Sequence, residues 1–313
     1  MTVMSVALIS HSDCGAHDTG WGHPEHVGRL RAVMRAVRDD PELFMRLEHL
    51  GGRHATLDEC RIGHQDEYLA MLQELAREGG GRLDNETVVS TGSWDAATAS
   101  LGCVIEAVER VADGTVRRAL CAVRPPGHHA LPDRGMGFCL LGNVGIAALA
   151  ARSMHGMDRV LVVDWDVHHG NGTQAMVEHD PGIRYVSMHQ WLLFPGTGAA
   201  EDRGACENVW NVPLRGGLRP MEYLRALEEG LTRATLDWTP DLVLVSAGFD
   251  CLAGDPLGGF TLRLEDVDTL TRIVTERSAD WCGGRVVSVL EGGYVPDALG
   301  SACAIHLRTL LDG

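Results

Sequence analysis

This sequence predicts an α/β fold with a doubly wound, mostly parallel central sheet, and three observations carry that prediction. Short β-branched runs, almost continuous in apolar residues, recur at Val3–Ile9, Ala119–Val123, Val160–Val163, Ile183–Met188, Leu242–Ser246 and Val286–Leu290. This is the pattern of strands buried on both faces of a parallel sheet. Segments with helical spacing lie between them, as strand–helix alternation requires. The length, 313 residues, suits a single large α/β domain over 1–313, with no internal repeat and no Pro/Ser linker to divide it.

Along the chain, Met1 to Ile9 reads as a first strand, since it has no basic start and no cleavage site of an export signal. Leu30, Val33, Met34 and Val37 follow one helical face. Leu224, Leu227 and Leu231 do the same behind Pro220, a residue suited to a first helical turn, and so do Val267, Leu270 and Val274. Polar residues follow the strands in a repeated way. Ala119–Val123 runs into Arg124-Pro125-Pro126-Gly127-His128-His129, and Val160–Val163 into Asp164-Trp165-Asp166-Val167-His168-His169. Ile183–Met188 runs into His189, Leu242–Ser246 into Gly248-Phe249-Asp250, and Val286–Leu290 into Glu291-Gly292-Gly293-Tyr294. The carboxyl edge of an open α/β sheet is where ligands bind, so these segments are expected to share one crevice.

Composition narrows the function. Acidic residues outnumber basic ones by 43 to 27, which disfavours direct contact with phosphate backbones and is compatible with a cationic substrate. Nine cysteines without CxxC spacing point to free thiols in a reducing compartment, and the expected location is cytoplasmic. No apolar stretch approaches the length of a membrane span.

Asp164, Asp166 and His168 stand at i, i+2 and i+4, a spacing that turns alternate side chains of an extended chain to one side. Two carboxylates beside an imidazole call for a cation, and Asp250 adds a carboxylate from another strand. Two Asp and one His leave positions open for water and substrate, as a catalytic zinc needs; iron(II) and manganese suit the same donors. The His128-His129 pair has the titration range for proton transfer to a departing amine and from an attacking water. Tyr294, after two glycines, offers a hydroxyl to a developing oxyanion. Cys139 and Cys251 read as small buried hydrophobes.

The segments RPPGHHA at Arg124–Ala130, DWDVHHGNGTQ at Asp164–Gln174, SAGFDCLAGDP at Ser246–Pro256 and EGGY at Glu291–Tyr294 resemble the histone-deacetylase-like amidohydrolases of class II type. So do Gly22-His23-Pro24-Glu25 with Arg29-Leu30, and Phe194-Pro195-Gly196-Thr197-Gly198, so that the resemblance runs from about His11 to Tyr294. It implies the arginase/deacetylase fold, with a parallel sheet of about eight strands. It also implies zinc on Asp166, His168 and Asp250. Asp164 is then the partner that orients His128, and with Ser187 and the carbonyls of Asp166, His168 and Met188 it forms the shell of a structural potassium ion. A second cation shell is implied near the carbonyls of Val177, Asp180 and Ile183. His129 becomes the general base and acid beside Asn171. Gly137, Phe138 and Phe194 line a narrow tunnel suited to a lysine-like stem. Arg29 lies beneath the site, near the path of departing acetate, and His17, Asp18 and His23 belong to the entrance.

Three residues set this chain apart within the resemblance. Asn171 stands where class I relatives carry Asp, and class II relatives carry Asn there as this chain does. Glu86 falls near the position of a rim Asp that grips the substrate backbone, with one methylene more. Leu257 replaces the Glu gatekeeper of a polyamine-preferring branch. Tyr294 is present where vertebrate class IIa members carry His. The expected reaction is hydrolysis of N-acetyl-lysine or a similar acylated amine. The alternatives are a small-molecule or acetylpolyamine amidohydrolase, a two-manganese ureohydrolase, and a catalytically silent acyl-lysine binding module. The sequence leaves the oligomeric state open.

Overall fold

The computed structural model describes residues 5–313, so Val3 and Met4 of the first expected strand lie outside the described residues. The strands are β1 (Val6–Ile9), β2 (Glu48–Leu50), β3 (Gly81–Arg82), β4 (Val88–Val89), β5 (Arg118–Cys121), β6 (Val160–Asp164), β7 (Ile183–Gln190), β8 (Val209–Leu214), β9 (Leu242–Ala247) and β10 (Val286–Leu290). The helices are α1 (Gly28–Arg38), α2 (Pro41–Arg46), α3 (Leu57–Cys60), α4 (Asp66–Arg77), α5 (Ser93–Ala112), α6 (Asn143–His155), α7 (Asn171–Val177), α8 (Pro220–Ala234), α9 (Leu264–Cys282) and α10 (Pro296–Asp312).

Eight strands form one sheet in the order β2-β1-β5-β10-β9-β6-β7-β8, and every pairing in it is parallel. β3 and β4 make a separate antiparallel hairpin. The central strands β5, β6, β9 and β10 are buried at every position, because helices cover both faces. All six expected strands are present. The two edge strands, β2 and β8, carry no such signal: β2 is three partly exposed residues, and β8 alternates in burial and contains Pro213, which an edge tolerates.

The three expected helices are α1, α8 and α9, with Pro220 in the first turn of α8. α5 and α6 show no single narrow apolar stripe in sequence, because each buries most of its length and small and apolar residues occupy several of its faces. No helix among the described residues is long and apolar enough to cross a membrane. Eight of the nine cysteines are buried and free, and Cys206 is exposed and free.

Three further imidazoles, His64 and His306 in the core and His17 beside the carboxyl-edge crevice, are also buried. His64 accepts from the Gly142 N–H at 2.9 Å, His306 bridges Thr271 and Ser288 at 2.7 and 2.9 Å, and His17 sits 2.7 Å from Ser93 Oγ. Burial pushes their pKa values down, to about 4 for His17 and His64 and about 3 for His306. In an unfolded chain they titrate near 6.5. Between about pH 6.5 and 4 the unfolded state therefore binds more protons, and stability falls as pH falls through that window. Thermal melts are expected to show Tm dropping by on the order of 10 °C from pH 7 to 4.5, with a shallower drop in His306→Asn. A flat profile contradicts this account.

Candidate active site

Asp164 ends β6, and the chain leaves the sheet immediately after it. The expected alternation of Asp164, Asp166 and His168 persists past β6, where isolated backbone bonds still reach the neighbouring strands: the Trp165 N–H donates to the Ser246 carbonyl at 3.2 Å and the Gln190 N–H to the Val167 carbonyl at 2.8 Å. The Asp166 N–H donates to Asp164 Oδ1 at 3.2 Å, and the His168 N–H donates to Asp166 Oδ1 at 2.9 Å. Each aspartate thus fixes the backbone two residues on, an Asx-type arrangement that adds to those bonds. Trp165 and Val167 point the other way and are fully buried.

Asp250 follows β9, and its Oδ1 accepts the Val167 N–H at 2.9 Å, which ties the two segments together. Ligand-capable atoms of Asp166, His168 and Asp250 lie within 4.8 Å of one another, all buried. His168 Nδ1 is 3.0 Å from Asp166 Oδ1 and 3.2 Å from Asp250 Oδ2. Donors sharing a tetrahedral ion at bonds near 2.0–2.2 Å stand about 3.4 Å apart, so the group fits a divalent metal with little movement. Its electrostatics say the same. Burial and the Asp166 carboxylate push the Asp250 carboxyl up to about 7. Two buried carboxylates this close need positive charge to stay ionised together. Without an ion the His168 imidazole supplies it: burial would lower its pKa, but Asp166 and Asp250 hold it at about 10, and a divalent ion would take over that place.

Gly292, in the loop after β10, approaches this group so closely that a Cβ there would meet Asp250 Oδ2 at 2.0 Å. Its N–H donates to Asp166 Oδ2 at 2.8 Å. The glycine pair of the EGGY segment therefore does more than turn the chain: it lets backbone reach the carboxylates.

The His128 and His129 rings pack with centroids 4.0 Å apart, but their surroundings divide them. His128 Nδ1 lies 3.1 Å from Asp164 Oδ2, and its Nε2 lies 3.8 Å from Asp166 Oδ1. Burial alone would lower its pKa; the Asp166 and Asp164 carboxylates outweigh burial and hold it at about 10. His129 has no such carboxylate, and burial together with the positive neighbours His128 and His168 keeps it well below the usual imidazole range. Its Nδ1 is 2.9 Å from Asn171 Oδ1, while Asn171 Nδ2 faces Met136 Sδ at 3.5 Å. With the amide oriented that way, Nδ1 carries the proton and Nε2 is left bare.

Glu291, which the sequence marks only as part of a motif, fixes this pair. Its buried Oε2 accepts from the N–H groups of Gly127 and His128 at 2.7 and 3.2 Å, and Ser246 Oγ donates to Oε1 at 3.3 Å. One carboxylate thus joins the loop after β5 and the end of strand β9 to the loop after β10.

Tyr294 is held by its backbone, since its N–H donates to Asp255 Oδ2 at 2.7 Å. Burial, then the Asp250 carboxylate, keep its phenol protonated far above the usual range, with Arg29 opposing. The Arg29 guanidinium lies 5.0 Å over the Tyr294 ring, donates to the Gly293 carbonyl at 2.7 Å and also donates to the Glu291 carbonyl. It is neutralised by Glu25 at 3.1 Å, and Glu25 in turn takes two bonds from Arg124 at 2.9 and 2.7 Å. Burial opposes ionisation of Glu25, yet Arg124 and Arg29 hold its carboxyl down at about 2. Glu25, Arg124 and Asp255 stand in the sequence only as members of the segments that carry the resemblance, because the groups they bind lie far away along the chain.

A cavity of about 390 Å³ leads to this group, within the ordinary range for small-ligand sites. Phe138, Phe194, Gly137, Leu257 and Glu86 line it together with His23, His129, His168 and Tyr294. Phe138 has φ +68°, a left-handed conformation that a bulky side chain rarely adopts, and its ring stands 4.8 Å from His23 and 5.8 Å from Tyr294. Gly137 has no room for a side chain: a Cβ would lie 2.5 Å from the His129 ring and 2.7 Å from Phe194. Glu86 offers its main-chain oxygen to His23 Nε2 at 3.0 Å. His17 and Asp18 line an adjoining cavity of about 990 Å³ that shares His23 and Tyr294 with the tunnel.

Ser187 pairs in register with Asp164 across β6 and β7, and its hydroxyl lies 2.9 Å from His189 Nδ1. Met188 follows it in the same strand. Cys139 and Cys251 are buried, and burial drives both thiols well above their usual range, so neither is a thiolate nucleophile.

A family model for the histone deacetylase domain matches residues 23–310. Uncharacterized protein slr0245 of Synechocystis sp. is 41% identical over 309 residues, covering 98% of this chain and 99% of that protein. The histone deacetylase-like amidohydrolase of Pseudomonas aeruginosa is 37% identical over 276 residues, 87% of this chain and 71% of the relative. The crystal structure of the HDA15 HD domain superposes with a TM-score of 0.93 at 31% identity, over 99% of this chain and 90% of that one. On the sequence match and the shared fold together, this chain belongs to the histone deacetylase family.

Proposed function

We propose that this chain is a zinc-dependent deacylase that hydrolyses the amide of N-acetyl-lysine or a similar acylated amine. The observation that carries this reading is the buried triangle of Asp166, His168 and Asp250 at the foot of an apolar tunnel, with a neutral imidazole and a protonated phenol lining the same tunnel. Asp166, His168 and Asp250 are the residues that would hold the ion, and iron(II) or manganese suits the same donors. When bound, the ion supplies Lewis-acid polarisation of the amide carbonyl and makes a water acidic enough to lose a proton near neutral pH.

His129 takes that proton at Nε2, the nitrogen that Asn171 leaves bare. The same nitrogen then returns it to the departing amine, which cannot leave as an anion. His128, held positive by Asp164 and Asp166, adds charge of the sign that a developing oxyanion needs. Tyr294 donates its hydroxyl hydrogen to that oxyanion, and Asp255 and Arg29 keep its backbone in place. Phe138 and Phe194 strip water from the four-carbon stem of a lysine-like substrate. Asp164, Ser187 and the carbonyls of Asp166, His168 and Met188 are proposed to hold a monovalent cation such as potassium.

The test is a turnover panel of acetyl-lysine peptides, longer acyl-lysines, acetylputrescine and acetylspermidine, run on enzyme of measured metal content. Acetyl-lysine turnover that tracks one equivalent of metal supports the reading. A strong preference for an acetylpolyamine overturns the substrate class, and no turnover with metal bound favours a binding module. Within the same panel, Tyr294→Phe is expected to lower kcat about 100- to 1,000-fold at unchanged metal content.

A further inference from the structure

The carbonyl oxygens of Val177, Asp180 and Ile183 converge on one point between the end of α7 and the start of β7. That point is occupied by a side-chain atom of the chain itself. Asn208, buried just ahead of β8, places Nδ2 at 3.0 Å from the Val177 oxygen, 3.0 Å from that of Asp180 and 2.8 Å from that of Ile183. Three carbonyl dipoles with their negative ends together need positive charge between them, from an ion or from N–H groups. The resemblance discussed above implies a monovalent ion at these oxygens. An ion and the amide cannot both stand there. We propose that the Asn208 amide replaces the second monovalent cation in this protein, so that the link between α7 and β7 is stapled to β8 without an ion.

The orientation of the amide supports this. Its two hydrogens serve three acceptors, and its Oδ1 is left buried without a partner. Turning the amide over would give Oδ1 no donor at all and would bring four oxygens together, an arrangement that only a cation stabilises. The unsatisfied Oδ1 is therefore the lesser penalty in an ion-free site. The Asn208 main chain is also pinned, since its carbonyl accepts the Tyr185 N–H at 3.0 Å, so the side chain reaches the convergence point from a fixed base. The proposal is independent of the deacylase reading, because neither measurement below uses turnover.

Crystals of the full chain grown in rubidium chloride test it by anomalous scattering. The expected map has no rubidium peak in contact with the carbonyls of Val177, Asp180 and Ile183; a peak there, with Asn208 turned away, overturns the proposal. Asn208→Asp supplies a second reading. It puts an oxygen where the nitrogen was, so at pH 8 in tetramethylammonium buffer its Tm is expected to fall by on the order of 5 °C relative to the parent. Added potassium should raise the variant's Tm by more than it raises the parent's. An equal response to potassium overturns the proposal, and the rubidium map of the parent decides the matter if the variant does not fold.

Discussion

Asp250→Asn is expected to lose stoichiometric metal binding and to lower kcat/KM by about three orders of magnitude. An amide keeps the shape and the acceptor that Val167 N–H uses, but it removes one of two anionic donors from a three-ligand site. The Lewis-acid contribution that goes with the ion is worth several kcal/mol of transition-state stabilisation, which about three decades of rate represent. Loss of a ligand must be told apart from loss of the fold, and the charge balance does this. Burial and Asp166 raise the Asp250 carboxyl to about 7, above its value in an unfolded chain. In metal-free protein its stabilising share is full below pH 4 and is lost as pH rises through about 7. Metal-free Asp250→Asn should therefore melt no lower than metal-free parent at pH 8, and should gain nothing from added zinc. Bound-metal analysis and melts with and without chelator check both. A variant that keeps one tightly held zinc and full activity removes Asp250 from the site.

Removing the proton-transfer group is the second large effect. His129→Ala is expected to lower kcat by about 1,000-fold while leaving metal content unchanged. The ring touches no metal-ligand atom at hydrogen-bond distance; its partner is Asn171, and it packs 5.0 Å from Phe194 at the tunnel wall. A companion change fixes the role. Asn171→Asp sets a carboxylate beside Nδ1, which favours the protonated ring and raises its pKa. A base must be unprotonated to act, so the acidic limb of kcat/KM should move to higher pH in that variant. An unmoved limb, or a variant in which KM alone changes, would falsify the assignment of the base to His129.

The strands were legible wherever burial on both faces made the sequence uniformly apolar, and this covers six of the eight strands of the main sheet. β2 and β8 were not, because edge strands need only one covered face and their residues then resemble loop. The candidate site was legible for a related reason. Its metal-ligand and proton-transfer residues lie in the segments that follow buried strands, so they were marked by an abrupt change from apolar to polar, whereas Phe138, Phe194 and Glu86 of the tunnel carry no such mark. Glu25, Arg124 and Asp255 act on the site from loops, at separations that no local pattern reveals, and only folding brings Glu25 within 2.7 Å of Arg124.

Local order in the chain decided which residues are chemical: two aspartates and a histidine at alternate positions, a pair of imidazoles, a tyrosine behind two glycines. Tertiary structure decided what each of them is. His128 and His129 are identical side chains adjacent in sequence, yet one is held positive and the other neutral, because the end of β6 and the loop after it set two carboxylates against the first and α7 sets an amide against the second. Protonation state depends on charges a few ångströms away in space, and those distances exist only after the sheet has assembled.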